Sequence, residues 1–166
     1  MTRRAGTLAI APLLLIVSCG RPPAELHRFL GARSAGTPPR AIEAAFGLCD
    51  GEVVTQVQLR LSDPPVANGG VLWQINSPGS TTTRFTVGET PNGFSETVPF
   101  QEASLPSQYL SIVVRTNNEE WPETTVSFRP DGLPSEVFAS DDGRKTVSEI
   151  DEAVRAGCVP RQGYYH

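Results

Sequence analysis

The run of this chain with most chemistry in it is Asn117-Asn118-Glu119-Glu120-Trp121-Pro122-Glu123, three acids around a tryptophan on a connecting segment. Such a loop stacks a sugar ring on Trp121 and accepts its hydroxyl hydrogen bonds on Glu119 and Glu120. Two of its carboxyls, facing each other across a cleft, would serve as acid and base for glycoside hydrolysis. The sequence favours a plainer reading: a solvated hairpin loop whose Trp folds back over a sheet edge, since a single Trp packs more often than it binds. A second polar connection, Gly88-Glu89-Thr90-Pro91-Asn92-Gly93-Phe94, adds Asn92 and Phe94 as candidate binding residues. Its glycines suit either a close approach of backbone to a ligand or a turn that needs positive φ.

Other chemistry is thinly supplied. Nucleophilic catalysis needs a base beside the nucleophile, and the chain has two histidines: His27, in a Pro- and Gly-rich stretch, and His166, the last residue. The single lysine, Lys145, falls in the charged turn Asp141-Asp142-Gly143-Arg144-Lys145, where a solvated role suits it. That turn lacks the surrounding oxygen ligands of a calcium loop, and no phosphate-binding glycine loop or zinc spacing occurs. No catalytic residue, metal site or cofactor is therefore expected. A net charge of −4, from 14 basic and 18 acidic residues, gives no electrostatic footprint for nucleic acid.

The beginning of the chain is an address. Arg3 and Arg4 precede an apolar run of about ten residues, Leu8 to Val17, which contains Pro12 and is half the length of a membrane-spanning helix. A positive start, a short apolar middle and small residues after it make a secretory signal peptide. Its ending, Ile16-Val17-Ser18-Cys19, resembles the bacterial lipobox. The resemblance implies that residues 1–18 are removed and that Cys19 becomes a lipidated first residue. The acyl chains would then hold an extracytoplasmic domain to the cell membrane without a spanning helix. Loss of residues 1–18 takes away two arginines and no acid, moving the net charge from −4 to −6, and anionic headgroups repel such a body.

With Cys19 assigned to lipid, Cys49 and Cys158 remain. An even pair in an exported protein suggests a disulfide, with two buried free thiols as the alternative. Such a bridge would tie together the two ends of the domain.

The elements that must position these residues are mostly strands. Residues 19–40, with Pro22-Pro23, Gly31, Gly36 and Pro38-Pro39, suggest a flexible tether. From Val53 the apolar period becomes two: Val53, Thr55, Val57, Leu59 and Leu61 share one face, with Gln56, Gln58 and Arg60 on the other. The pattern returns around Val71–Ile75, Arg84–Val87, Phe94–Phe100 (Glu96 being the polar exception on that parity), Leu110–Arg115, Thr125–Arg129 and, more weakly, Glu136–Ala139. Turn signals stand between them, among them Pro78-Gly79-Ser80 and Pro130-Asp131-Gly132. Six to seven short strands so spaced predict an all-β, antiparallel, immunoglobulin-like sandwich over 41–160, followed by a tail at 161–166. Trp73, in phase with Val71 and Ile75, belongs to its core. Thr146 and Glu149 form a capping box ahead of an apolar stripe at Val147, Ile150 and Val154, which predicts one short C-terminal helix ending at Gly157.

The lipobox, Pro-rich segment and all-β body are similar to secreted lipoproteins of high-GC, actinobacterial-type genomes. That likeness carries no activity or catalytic residue with it. The functional expectation is a lipid-anchored binding or interaction module of the cell envelope, meeting a protein or glycan partner. Two alternatives remain: an envelope enzyme acting on glycan through Glu119, Glu120 or Glu123, and a structural subunit of an envelope complex.

Overall fold

The computed structural model describes residues 26–35, 41–62, 70–101, 108–120, 122–140, 143–156 and 158–160, with backbone alone at 26, 27, 41 and 158–160. The leader 1–18, Cys19, Trp121, Gly157 and the tail 161–166 lie outside these described residues.

Two five-stranded antiparallel sheets pack face to face. The second sheet holds most of the strands foreseen from the period of two: β4 (Val54–Leu61), β5 (Val71–Ser80), β7 (Ser95–Val98), β8 (Leu110–Thr116) and β9 (Glu123–Phe128), in the order β7-β5-β4-β8-β9. The first sheet contains β2 (Leu30–Ala35), β3 (Ala41–Phe46), β6 (Arg84–Thr86), β10 (Val137–Ser140) and β11 (Gly143–Thr146), in the order β11-β10-β2-β3-β6. A short pair, β1 (Leu26–Arg28) with β12 (Cys158–Pro160), joins the two ends of the body. The all-β sandwich with one C-terminal helix is as expected; the strands outnumber the six to seven anticipated.

The core explains the layering. Leu30, Ala32, Ile42, Ala44, Phe46 and Phe85 from the first sheet meet Val54, Val57, Leu59, Trp73, Ile75, Ile112 and Val126 from the second, all buried. Trp73 has no accessible surface, and its indole N–H donates to Glu96 Oε1 at 3.2 Å. That bond accounts for an acid among the apolar positions of this strand. Between the pairs Gln74↔Val98 and Ile75↔Glu96 β7 carries one extra residue, and the resulting bulge turns Glu96 toward the indole.

Three local departures from the sequence pattern have physical causes. Relative to β8, β4 holds one extra residue between Val54 and Gln56, so Val54, rather than Val53 and Thr55, shares the buried face with Val57 and Leu59. The turn signal Pro78-Gly79-Ser80 does not end a strand. It is absorbed as an irregularity of β5, where Gly79 takes φ +152° and a Cβ would stand 3.1 Å from Val53 Cγ2.

The third departure is the largest. Much of the expected tether is sheet: β1 and β2 occupy residues 26–35, and β2 pairs with β3 from Leu30↔Phe46 to Ala35↔Ala41. The body therefore begins upstream of residue 41. Its strand pattern is faint because the buried positions include small residues such as Ala32 and Ala44. Gly31 is required by space, since a Cβ there would lie 2.6 Å from Phe29 Cζ and 3.2 Å from Phe138 Cβ.

The helix α1 (Val147–Ala156) starts where the capping box placed it: Thr146 N–H donates to Glu149 Oε2 at 2.7 Å, and Glu149 N–H donates to Thr146 Oγ1 at 3.3 Å. Ile150, with Val147, Ala153 and Val154, packs on Phe29, Ala45 and Phe138. The helix thus covers the outer face of the first sheet as a third layer.

Candidate functional site

The residues singled out by type fall into separate places. Phe94 packs against the core, its ring edge-on to Phe85 at 5.7 Å and 82°. Asn92 is exposed in a turn closed by Phe94 N–H donating to Pro91 O at 3.1 Å. Gly88 and Gly93 both take positive φ, +86° and +87°, so this connection is a pair of turns. It leads into β7, at one edge of the second sheet, whereas the loop 117–122 precedes β9 at the other edge. Four strand spacings, about 19 Å, separate those edges. The two groups are not one site.

In the loop between β8 and β9 the asparagines hold structure. Asn117 N–H donates to Val53 O at 3.1 Å, and Val53 N–H donates to Asn117 Oδ1 at 2.9 Å. Asn118 Nδ2 donates to Glu52 Oε1 at 2.6 Å, while its Oδ1 accepts from Glu120 N–H at 3.0 Å. Glu119 and Glu120 are exposed. Glu123 is engaged elsewhere: Arg60 Nη2 donates to its Oε1 at 3.3 Å and Arg115 Nε to its Oε2 at 3.1 Å.

Asn118 also completes a buried charge cluster. Arg28 and Glu52 form a bidentate ion pair whose side chains are 4% and 6% exposed. Cys49 N–H donates to Glu52 Oε2 at 3.0 Å. Burial opposes ionisation of Glu52, but the bonds from Arg28, Cys49 N–H and Asn118 and the Arg28 charge outweigh it, holding the carboxyl below its ordinary value. Arg28 stands in register with Cys158, so this cluster sits where the first and last described strands meet.

A polar surface spans the outer face of the second sheet, which sequence reasoning reached strand by strand as the wet positions of the alternation but not as one face. Here side chains from neighbouring strands bond to one another. Gln58 Nε2 donates to Gln74 Oε1 at 2.7 Å, and Gln56 and Gln74 each donate to Asn76 Oδ1, at 2.9 and 3.1 Å. Asn76 passes the chain to Thr97 Oγ1 at 3.0 Å. Gln56 Oε1 is the one buried side-chain polar atom among the described residues without a hydrogen-bond partner. Toward β9 the hydroxyls of Ser62, Ser111 and Ser127 form a row with spacings of 2.5 and 2.8 Å. Val113, opposite Gln58 and Thr125 at the middle of this face, has no accessible surface.

At one end of this face stands Tyr109, 47% exposed, with the Arg129 guanidinium 4.7 Å from its ring centroid. Leu110 and Phe128 are register partners pointing into the core, which puts Tyr109 and Arg129 on the outer side beyond them. Tyr109, which precedes its strand, was not signalled by the sequence, and Arg129 was reached only as the last wet position of a strand that ends at Phe128.

Among the described residues, no three of His, Cys, Asp and Glu are grouped to hold a metal ion, and no helix is long and apolar enough to cross a membrane. Compared with known proteins, the chain matches no protein-family model, no curated protein and no solved structure.

Proposed function

We propose that this chain is a lipid-anchored extracytoplasmic binding or interaction module of the cell envelope, held through Cys19 and working through the outer face of its second sheet. The observation that carries the reading is that face: amide and hydroxyl side chains fixed by mutual hydrogen bonds, next to an exposed Tyr–Arg pair. Polar groups already held in place lose little freedom when they meet a ligand, which is the physical basis of preorganised recognition. The reading as a glycan-acting enzyme has less support, because Glu123 is committed to two arginines.

The anchor rests on the leader, Arg3-Arg4, Leu8–Val17 and Ile16-Val17-Ser18-Cys19. Because β1 begins at Leu26, seven residue steps separate it from Cys19, no more than about 25 Å even fully extended. The module would therefore work close to the bilayer. A Cys49–Cys158 bridge belongs to the same proposal. The backbone brings the two cysteines to one place: Cys158 lies in register with Arg28, whose partner Glu52 accepts the Cys49 N–H.

Intact mass of the protein from native membranes, before and after reduction, tests the address: loss of residues 1–18, gain of acyl chains and a two-proton increase on reduction are expected. A chain with residues 1–18 retained and no acyl mass overturns it. Affinity capture from the same membranes tests the binding role, with a defined partner lost on substitution of the polar face as the expected result.

A further inference from the structure

Five asparagines occur in the chain, at positions 68, 76, 92, 117 and 118, and two of them, Asn68 and Asn92, precede a glycine. Asn68 lies outside the described residues. The other four differ in how they are held. Asn76 donates to Thr97 Oγ1 and accepts from Gln56 and Gln74. Asn117 Oδ1 accepts the Val53 N–H, and the backbone nitrogen that follows it, that of Asn118, donates to Thr116 Oγ1 at 3.3 Å. Asn118 is tied to Glu52 and Glu120. Asn92 is exposed, and neither its side-chain amide nor the N–H of Gly93 has a hydrogen-bond partner among the described residues. One backbone bond, from Phe94 N–H to Pro91 O at 3.1 Å, closes its turn, where Gly93 has φ +87° and open space at the place of a Cβ.

We propose that Asn92 is a modification site, converted without an enzyme to aspartate and isoaspartate through a cyclic imide with Gly93. The Gly93 nitrogen gives its proton to solvent base and attacks Asn92 Cγ. A C–N bond forms there as the Cγ–Nδ2 bond breaks, and ammonia leaves with a proton taken from water. Water then opens the imide, at Cγ to give aspartate or at the former backbone carbonyl to give isoaspartate. One water enters and one ammonia departs, so nothing beyond solvent is consumed. A side chain on the following residue would crowd that nitrogen as it swings toward Cγ; glycine has none and leaves the backbone free to rotate. Exposure supplies both the base and the water. The product bears a carboxylate where a neutral amide stood. Isoaspartate also routes the main chain through Cγ, lengthening the turn just before Phe94 packs on Phe85. This chemistry is independent of what the module binds.

The test is a time course of the purified full chain, native and in urea, at pH 8 and at pH 5.5, followed by tryptic mapping with mass spectrometry. Cleavage after Arg84 puts Asn68 and Asn92 in different peptides, and the peptide from Phe85 to Arg115 holds no aspartate and no other asparagine. Any aspartate or isoaspartate in it therefore comes from Asn92. Native conversion is expected within about tenfold of the rate in urea, because an exposed turn held by one bond opens at little cost. It should run faster at pH 8, while Asn76, Asn117 and Asn118 of the native chain stay intact. A more acidic species should grow on ion exchange in step with that peptide. Asn92→Gln should remove the product from the peptide and leave the unfolding midpoint unchanged. Native conversion slower than that limit, equal rates at the two pH values, or conversion at Asn117 or Asn118 as fast as at Asn92 overturns the proposal.

Discussion

Glu43 on the first sheet and Glu123 on the second are each an acid shared between two arginines, Arg33 and Arg84 in one case and Arg60 and Arg115 in the other. Their surroundings differ. Above the first, α1 seals Phe138, over which both Arg33 and Arg84 stack at 4.9 and 5.9 Å, and Asp151 of the helix binds Arg84 directly. Above the second no described helix lies, and its acid is 33% exposed against 15% for Glu43. The same trio thus fastens a layer on one face and remains within reach of solvent and ligands on the other. Ion pairing alone does not mark a structural or a functional surface; what covers it does.

The largest way to break this contrast is to empty the covered face. Phe138→Ala, under the helix, should lower stability by about 3–5 kcal/mol, read from urea unfolding, whereas Gln58→Ala on the open face should change it by less than about 0.5 kcal/mol. Equal costs would mean that the second face is also sealed.

Next comes the buried pair at the meeting of the chain ends. Arg28→Ala strands Glu52 in a buried place and should cost about 3–5 kcal/mol near neutral pH. Its pH dependence sharpens the point. The Glu52 carboxyl is held below its ordinary value of 4.5, so the stability it confers is fully present above that value and lost as pH falls through the lower folded one. Denaturant titrations at pH 7 and below pH 4 should show this acid loss in the native chain and much less of it in Arg28→Ala.

Two smaller effects follow on the covered side. Glu43→Gln should cost about 1.5–3 kcal/mol, since it removes charged hydrogen-bond acceptance from both Arg33 and Arg84, and Thr146→Ala about 1 kcal/mol through loss of the helix cap. Acid should loosen the same cap, because hydrogen bonds from the backbone and hydroxyl of Thr146, with Lys145 nearby, hold Glu149 below its ordinary value. The smallest effect belongs to the open trio: Glu123→Gln should shift stability by less than about 1 kcal/mol. A larger loss there would erase the distinction between the two faces.

These contrasts also show what a sequence reveals. Strands whose buried side chains are large, such as β4, β5 and β8, announce themselves by alternation. The capping box of α1 is legible because Thr146 and Glu149 carry specific chemistry at a specific spacing. β2 and β3 were hidden because alanine, serine and glycine fill most positions between Leu30, Ile42 and Phe46, and small residues read equally well as linker. The polar face was hidden for another reason. Gln58, Gln74, Asn76, Ser111, Ser127, Tyr109 and Arg129 come from four strands and their flanks, and only the strand order of the second sheet makes them neighbours. Glu119, Glu120 and Trp121, adjacent in sequence, suggested a site through proximity along the chain alone.

The pairing of β1 with β12 sets how the body answers a pull. Leu26 lies opposite Pro160 and Arg28 opposite Cys158, so traction on the chain before Leu26 opens that ribbon from its free end, one rung at a time, as a zip opens. The opening reaches Arg28 last, and there the charge clasp with Glu52 acts as the stop. A pull applied before Leu26 would meet that clasp before the two large sheets.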